Sequence, residues 1–351
     1  MAVTIKDVAK KANVAPSTVS RVIADNPSIS DKTKRKVRKV MKELGYHLNA
    51  NARNLVTKKT KTIGIVLKHS ARYSLHNPFF QEVMRGIGSY CREEGYSLSI
   101  TTGDSETAIY EDVIQMVEGR QVDGLIILYS RKGDKMIRYL LEKNFPFVVV
   151  GHPGQDYTGV TYVDNDNQKA AKDLTEFLLF LGHKHIAFFG GVLEYDVVSD
   201  RLKGYKEALN THRIKFSPDY VKTLPYSRKE AMIAIDELFA LPDSPTAFLA
   251  LDIDYAIILS GVLTKRNMRI PEDASIVCFN NYEVADYTTP SLTTMDIHTY
   301  ELGAEAARYV IELIINPQAI EKNVLIPTKI IERESHRPIK QEKPAEDVLM
   351  H

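Results

Sequence analysis

The chain has 351 residues, 44% of them hydrophobic, which is enough for two or three packed domains. It has no run of about eighteen apolar residues that would span a membrane, and its N-terminus lacks the apolar core of a signal peptide. Cys91 and Cys278 fit no zinc or disulfide spacing, so we expect a cytoplasmic protein with reduced thiols and without a metal or other cofactor.

The net charge of +1 conceals a strong asymmetry along the chain. Residues 1–61 contain 15 Lys or Arg and 4 Asp or Glu, a net charge of +11. The other residues contain 31 and 41, a net charge of −10. A basic segment on an acidic body is typical of a DNA-binding head joined to a domain that does not bind DNA.

The basic segment begins with a helix-turn-helix pattern. Thr4 can cap a first helix, and Asp7 can complete a capping box. Asn13 tolerates the left-handed conformation that ends a helix, and Pro16 suits the first position of a second helix that runs to Ile23. Short polar side chains and one arginine would face outward from that second helix and suit the major groove of DNA: Ser17, Thr18, Ser20 and Arg21.

A third helix should pack on the first two. The sequence around Asn26 breaks the chain, Ser30 can cap the new helix, and Gly45 can end it. Apolar residues at helical spacing between these caps predict a small three-helix core.

From residue 62 onward the pattern changes to alternating strands and helices, which predicts parallel, doubly wound α/β sheets. The predicted strands are 62–67, 97–101, 124–128, 147–151, 185–190, 247–251 and 275–279. The predicted helices include 79–94, 168–181, 201–210 and 229–241. The units form two blocks, which we interpret as two similar lobes.

The string VTIKDVAKKANVAPSTVSRVI at residues 3–23 resembles the head of LacI-family repressors almost residue for residue, and residues 46–55 resemble the family's hinge pattern. The resemblance implies that two hinge helices pair in the minor groove of a bent operator, where Leu55 would open a base step and Ala52 would let the hinges approach. The DNA contacts that it implies are Thr4, Pro16, Ser17, Thr18, Ser20, Arg21, Asn26, Asn49, Ala52 and Leu55.

The same resemblance implies a sensor with the fold of periplasmic binding proteins. The expected organisation is a head (1–48), a hinge with its linker (49–61), a first lobe (62–162 and 293–323), a second lobe (163–292 and 324–340) and a disordered tail (341–351). Because the tail lacks a leucine heptad, we expect a homodimer and therefore a pseudo-palindromic operator in double-stranded DNA.

An effector should bind in the cleft at the carboxyl ends of the strands. In the first lobe the candidate contacts are Asn77, Phe79, Phe80, Tyr129 and His152; in the second they are Arg201, Asp252 and Asn280. We expect Arg201 to open a helix, where its guanidinium could bond two oxygens. Asn280 and Asn281 replace the Asp pair usual in the family, which favours a neutral, hydroxyl-rich ligand.

The motifs at 76–80, 163–167 and 279–281 resemble those of maltose-operon regulators of Gram-positive bacteria, which implies maltose or a malto-oligosaccharide as inducer. Ligand would close the cleft, shift the first lobes of a dimer and unfold the hinges. We expect the helix at 79–94, through Val83, Ile87 and Tyr90, to form part of the dimer face that shifts.

Two alternatives stay open. The ligand, or a phosphorylated partner protein, could act as a co-repressor, as in the catabolite-control branch of the family. The chain could instead be a sugar-binding receptor without gene control, although such a receptor has no use for a basic helix-turn-helix. An enzyme is not expected, because the sequence contains neither a GK[ST] phosphate loop nor a GxSxG elbow.

Overall fold

The computed structural model describes residues 3–46, 59–67, 77–131, 133–154 and 157–339. Within these ranges the chain forms a helical head and a larger part built on two β-sheets. The predicted hinge contacts Asn49, Ala52 and Leu55 lie outside the described residues, as does the tail at 341–351.

The head consists of three helices that share one small core. They are α1 (Ile5–Ala12), α2 (Pro16–Ile23) and α3 (Asp31–Leu44). Their apolar residues recur at helical spacing, so each helix turns one apolar face towards the other two. The buried residues of this core are Val8, Ala9, Ala12, Val19, Val22, Val37 and Val40. The predicted three-helix head is confirmed.

The turns between these helices follow from local chemistry. Asp7 accepts hydrogen bonds from the backbone N–H and the hydroxyl of Thr4, at 2.8 and 2.7 Å, and these bonds lower the pKa of the Asp7 carboxyl. Asn13 and Gly45 take the left-handed conformation, with φ of 50° and 62°, and end α1 and α3. The Ser30 hydroxyl caps α3 by accepting from the N–H of Thr33.

The first lobe is built on a six-stranded parallel sheet with the strand order β11-β5-β4-β3-β1-β2. Its strands are β1 (Thr62–Val66), β2 (Ser97–Ile100), β3 (Gly124–Ile127), β4 (Phe147–Val150), β5 (Tyr162–Asp164) and β11 (Asn323–Leu325). The helices between its strands are α4 (Pro78–Glu93), α5 (Glu106–Glu118) and α6 (Lys135–Glu142), with α12 (Thr299–Ile315) packed on α4.

The second lobe also has a six-stranded sheet, with the strand order β12-β10-β9-β8-β6-β7, in which β12 runs antiparallel to β10 and the other pairs are parallel. Its strands are β6 (Ile186–Phe189), β7 (Val221–Lys222), β8 (Ala247–Ala250), β9 (Ser275–Phe279), β10 (Thr293–Asp296) and β12 (Lys329–Ile331). Its helices are α7 (Asn167–Phe180), α8 (Asp196–Thr211), α9 (Arg228–Phe239), α10 (Ile253–Lys265) and α11 (Val284–Tyr287). The predicted pair of doubly wound lobes is confirmed.

Pairing of the strands corrects the predicted lobe boundaries by a few residues. Strand β10 pairs with β9, so residues 293–296 belong to the second sheet and not to the first. Strands β5 and β11 pair with each other and lie in the first sheet, so residues 163–164 and 324–325 belong to the first lobe. The chain therefore crosses between the lobes just after β5, β10 and β11.

Glycines allow two helices to cross in close contact in the first lobe. A Cβ atom at Gly86 of α4 would lie 2.0 Å from the carbonyl oxygen of Tyr300 in α12. A Cβ at Gly303 of α12 would lie 2.1 Å from the carbonyl oxygen of Val83 in α4. The two backbones therefore touch where only glycine fits.

Burial at this crossing removes Val83 and Ile87 from the predicted dimer face. Val83 and Ile87 are fully buried between α4, α12 and the sheet of their own lobe, and Tyr90 packs against the same core. Helix α4 presents its apolar face inward, as a helix that covers a parallel sheet must. Val83 and Ile87 consequently cannot contact a second copy of the chain.

The α4–α12 crossing predicts a contrast between two glycines in one helix. Gly86→Ala should lower the free energy of unfolding by about 1–3 kcal/mol, because its methyl group meets backbone atoms that cannot move aside. Gly88→Ala is the matched control, since its Cβ would lie 3.9 Å from Leu98; it should be neutral or stabilising by up to about 1 kcal/mol. Urea unfolding followed by circular dichroism measures both, and equal stabilities would contradict the proposed packing.

A buried histidine of the second lobe predicts how stability depends on pH. The Nε2–H of His183 donates to the carbonyl of Arg337 at 3.1 Å, its Nδ1 lies 2.9 Å from the Thr246 hydroxyl, and burial lowers its pKa. The unfolded chain then binds a proton more readily, so this contribution is complete above pH 6.5 and is lost as the pH falls below it.

Replacement of this histidine should remove that loss. We expect His183→Gln to be less stable than wild type at pH 7.5, with the difference shrinking by pH 5.5. Urea midpoints at the two pH values test this, and a difference that is constant or grows on acidification would refute it.

Candidate effector site and DNA-binding surface

Polar side chains gather where the strands of the two sheets end at their carboxyl ends. Asp164 is the last residue of β5, Asp252 follows β8 and Asn280 follows β9. Arg201 reaches the same region from α8. Parallel strands end at one edge of a sheet, so each crossover delivers its polar residues to a shared cleft.

Arg201 is the centre of this cluster. Its side chain is buried, with only 6% exposed; its Nε–H donates to Asn167 Oδ1 at 3.0 Å and one Nη1–H donates to the Leu251 carbonyl at 2.9 Å. The guanidinium carbon lies 3.7 Å from the centre of the Phe279 ring. Burial lowers the pKa of Arg201 to about 10, while the carboxylates of Asp252 and Asp164 favour its charged form.

The prediction that Arg201 opens a helix is wrong. Helix α8 begins at Asp196, so Arg201 is its sixth residue. The start of this helix is hard to find in the sequence, because the residue at the N-cap, Tyr195, forms no capping hydrogen bond with its side chain. The negative charge of Asp196 does favour a helix N-terminus. Arg201 therefore reaches the site from within the helix, and its hydrogen bonds to Asn167 and Leu251 also connect the helix to the rest of the lobe.

Two acidic side chains flank the arginine. Asp164 accepts hydrogen bonds from the backbone N–H groups of His152 and Asn165 at 2.9 and 2.8 Å and from Asn167 Nδ2 at 3.0 Å. Burial nevertheless raises the pKa of Asp164 to about 7. Burial likewise raises the pKa of Asp252. Both acidic groups nevertheless act electrostatically on Arg201 and favour its charged form.

Asn280 presents a polar atom that the protein does not satisfy. The residue is 4% exposed, holds a left-handed conformation with φ of 72°, and donates its backbone N–H to the Met295 carbonyl at 3.0 Å. Its Oδ1 has no hydrogen-bond partner among the described residues. A buried acceptor without a partner costs roughly 1–3 kcal/mol, which a ligand hydroxyl could recover.

The first lobe contributes Asn77 and Phe79 across the cleft. Asn77 caps α4 through Oδ1, which accepts from the N–H of Phe79 at 2.8 Å, and its Nδ2 donates to Asp252 Oδ2 at 3.3 Å. Phe79 is half-buried and packs against the cores of both lobes. Phe80 is buried in the core of its own lobe and forms an edge-to-face pair with Phe79, so it supports the site without facing it.

Tyr129 and His152 have other neighbours than Arg201. Tyr129 is half-buried after β3, where burial and the carboxylate of Asp134 raise its pKa. The His152 ring packs edge-on against Tyr162 at 4.9 Å and lines a separate cavity of about 380 Å³. Only the backbone N–H of His152 reaches the cluster, through Asp164. The geometry thus groups Asn77, Phe79, Arg201, Asp252 and Asn280.

The segment after β5 carries residues that sequence reasoning passed over. Asn167 binds Arg201, and Asn165, 4% exposed, donates from Nδ2 to the carbonyls of Ile297 and Ile326 at 3.0 and 2.9 Å. Those two carbonyls belong to the other segments that cross between the lobes. Asn165 therefore ties all three crossings together. A run of four Asp and Asn residues at a strand end was the signal in the sequence.

On the head, the polar face of α2 is open. Val19 and Val22 are buried, whereas Ser17 and Arg21 are exposed. Pro16 and Thr4 are also exposed, and Thr18, Ser20 and Asn26 are half-buried. Helix α2 accordingly offers short polar groups and one cation to a partner.

Within the described ranges, no three His, Cys, Asp or Glu side chains lie close enough together to hold a metal ion. Both cysteines are free and buried. None of the helices in the same ranges is long and apolar enough to cross a membrane.

Comparison with known proteins agrees with both parts of this architecture. Residues 4–49 match bacterial regulatory proteins of the lacI family, and residues 175–336 match a periplasmic binding protein-like domain. The HTH-type transcriptional regulator MalR of Staphylococcus xylosus is 36% identical over 340 residues, which cover 97% of this chain and 99% of that protein.

Two solved structures extend the comparison. A probable maltose operon transcriptional repressor from Staphylococcus aureus has 27% identity and a TM-score of 0.74, covering 80% of this chain and 99% of its own. The lac repressor dimer bound to operator and the anti-inducer ONPF has 25% identity and a TM-score of 0.81, covering 96% and 100%. The chain belongs to the LacI family of bacterial transcriptional regulators and is a DNA-binding repressor, not an enzyme.

Proposed function

We propose that this repressor binds a pseudo-palindromic operator as a homodimer and is released from it by a neutral sugar, maltose or a malto-oligosaccharide. The observation that carries the proposal is the buried Arg201, which is influenced by the carboxyl groups of Asp164 and Asp252, together with Asn280, whose Oδ1 has no partner among the described residues. A cation that is already attracted by acidic groups of the protein, next to a free hydrogen-bond acceptor, suits a ligand that brings hydroxyl groups and no net charge.

Two kinds of contact would recognise the sugar: hydrogen bonds to its oxygens and an apolar contact with its ring. Asn280 Oδ1 accepts from a sugar hydroxyl, and the guanidinium of Arg201 donates to a hydroxyl or ring oxygen. Phe79, half-buried between the lobes, offers an apolar surface for the C–H face of a pyranose. The MalR of Staphylococcus xylosus and the maltose operon repressor of Staphylococcus aureus support maltose as the first sugar to test.

Operator binding rests on the head. Its net charge of +11 supplies attraction to phosphates, and the open face of α2 supplies groups for base edges: Pro16, Ser17, Thr18, Ser20 and Arg21. The lac repressor relative is a dimer bound to operator, which supports two heads on two half-sites. We place the hinge contacts Asn49, Ala52 and Leu55 in the minor groove between them, and Thr4 and Asn26 beside the phosphates.

Sugar and operator then compete through the position of the lobes. The two lobes meet at the Asn77–Asp252 hydrogen bond and at an antiparallel backbone bridge between Arg131 and Tyr195. A sugar that binds both lobes fixes their relative position, and an operator favours another position of the first lobes. Linkage requires each to weaken the other by the same factor, typically about 5–150-fold.

A panel of sugars tests the effector. Maltose, maltotriose, cellobiose, ribose, glucose 6-phosphate and guanine are added to the full chain, and the thermal midpoint is recorded. We expect a concentration-dependent rise with maltose or maltotriose, since a ligand that binds only the native state stabilises it. A rise with the phosphorylated sugar or guanine alone would refute the neutral-sugar proposal, and a sugar that tightens operator binding would indicate a co-repressor instead.

The same assay checks the site. Asn280→Ala should weaken the sugar at least tenfold, because a hydroxyl loses its buried acceptor. Asn210→Ala is the control, as Asn210 lies exposed at the end of α8. Isothermal titration calorimetry of both variants gives the affinities, and an unchanged affinity in Asn280→Ala would remove that residue from the site.

The head is tested separately from the sensor. Arg21→Ala should weaken binding at least tenfold to a duplex that the wild-type chain selects from a randomised pool, while sugar affinity stays unchanged. Arg120→Ala, an exposed arginine of the first lobe, is the control. Fluorescence anisotropy at two salt concentrations measures the effect. Equal affinities of Arg21→Ala and wild type would exclude Arg21 from the DNA contacts.

A further inference from the structure

The linker that connects the head to the sensor is fastened to the first lobe by one carboxylate. Asp123 stands directly before β3, at the amino ends of the strands. Its Oδ1 accepts from the N–H and the hydroxyl of Thr60 at 2.7 and 2.9 Å, and its Oδ2 accepts from the N–H of Lys61 at 2.8 Å. Three donors of the linker therefore converge on a single side chain.

The surrounding backbone continues this attachment. The N–H of Asp123 donates to the Thr62 carbonyl at 2.8 Å, and the N–H of Ser97 donates to the Lys61 carbonyl at 2.8 Å. Strand β1 lies between β3 and the edge strand β2, so the linker leaves the lobe with a strand on either side. Lys61 takes a left-handed conformation, with φ of 53°, and its ammonium lies 4.0 Å from the centre of the Tyr96 ring. These contacts set the direction in which the chain departs towards the head.

We propose that Asp123 is a positioning residue for repression: its carboxylate holds the linker in register with the first lobe, so that movement of the lobe moves the linker. The coupling between lobe and linker rests on the proposed release by sugar. The expected effect of Asp123 on operator affinity rests only on the DNA binding of the family. Only a carboxylate offers acceptors on both oxygens, and asparagine would face the N–H of Lys61 with an NH₂ group.

Position separates this anchor from the effector site. Asp123 precedes β3, at the amino ends of the parallel strands, whereas Asp252 and Asn280 follow the carboxyl ends of β8 and β9. A change at Asp123 therefore removes no contact of the site described above. A linker without its anchor leaves the lobe in many directions, and the operator must then select one of them at a cost in entropy.

The test compares two carboxylates of the same lobe. Asp123→Asn removes the linker anchor. Asp112→Asn is the matched control, because Asp112 likewise accepts from two backbone N–H groups, those of Thr102 and Gly103, at 2.7 and 2.8 Å, but away from the linker. Each full-length variant is measured for amide hydrogen exchange at residues 60–61, for affinity to the duplex selected by wild type, and for maltose binding by calorimetry.

We expect Asp123→Asn to exchange the amides of residues 60 and 61 at least tenfold faster and to bind the duplex at least tenfold more weakly, with maltose affinity within twofold of wild type. Asp112→Asn should leave the exchange and the duplex affinity unchanged. Thr60→Val, which removes one donor and leaves the carboxylate, should shift both in the same direction by a smaller factor.

Wild-type duplex affinity in Asp123→Asn, or equal losses in the two Asn variants, would overturn the proposal, as would unchanged exchange at residues 60 and 61. The effect on duplex affinity is measured without any sugar. A wild-type chain that ignores maltose therefore refutes the proposed inducer and leaves the anchor to be judged on exchange and DNA binding.

Discussion

The burial of a charged guanidinium at the boundary of the two lobes imposes conditions on everything around it. Arg201 has exchanged water for an amide oxygen, a backbone carbonyl and the face of Phe279, and burial lowers its pKa to about 10. Such a group is tolerated only where it is hydrogen-bonded and paired. Asn167 and Leu251 supply the hydrogen bonds, and Asp164 and Asp252, from the ends of two different sheets, favour the charged form of Arg201, so this charge depends on groups of both lobes.

The same network reaches the crossings between the lobes. Asn167 accepts from Arg201 and donates to Asp164, and Asn165, two residues earlier, holds the other two crossing segments through their carbonyls. Arg201 is thus connected to Asn167, a residue only two positions away from the one that joins the three segments crossing between the lobes. An interface built from discrete hydrogen bonds changes between a few complete arrangements, because a buried network with some of its hydrogen bonds missing has a higher free energy than either complete arrangement.

The sequence predicted the elements whose signals are local. It did not predict the short strands that form only in the assembled sheet. The caps at Asp7, Asn13 and Gly45 determine the head from neighbouring residues alone, and the long apolar strands are evident because both their faces are buried. The two-residue β7 and the three-residue β5, β11 and β12 carry too little pattern; they exist because a neighbouring strand offers partners. The lobe boundaries were displaced for that reason.

The candidate effector site could likewise be predicted only in part from the sequence. Side chains at strand ends, Asp252 and Asn280, could be placed from the sequence, because parallel strands direct their ends to one edge. His152 also follows a strand, yet its Nδ1 accepts from the N–H of Gly154, which turns the ring towards Tyr162. Strand order determines which loops meet, whereas a loop's own hydrogen bonds determine which way a side chain points. Short polar turns such as 164–167 consequently determine which polar atoms face the cleft, and such turns can change without disturbing the sheets that carry them.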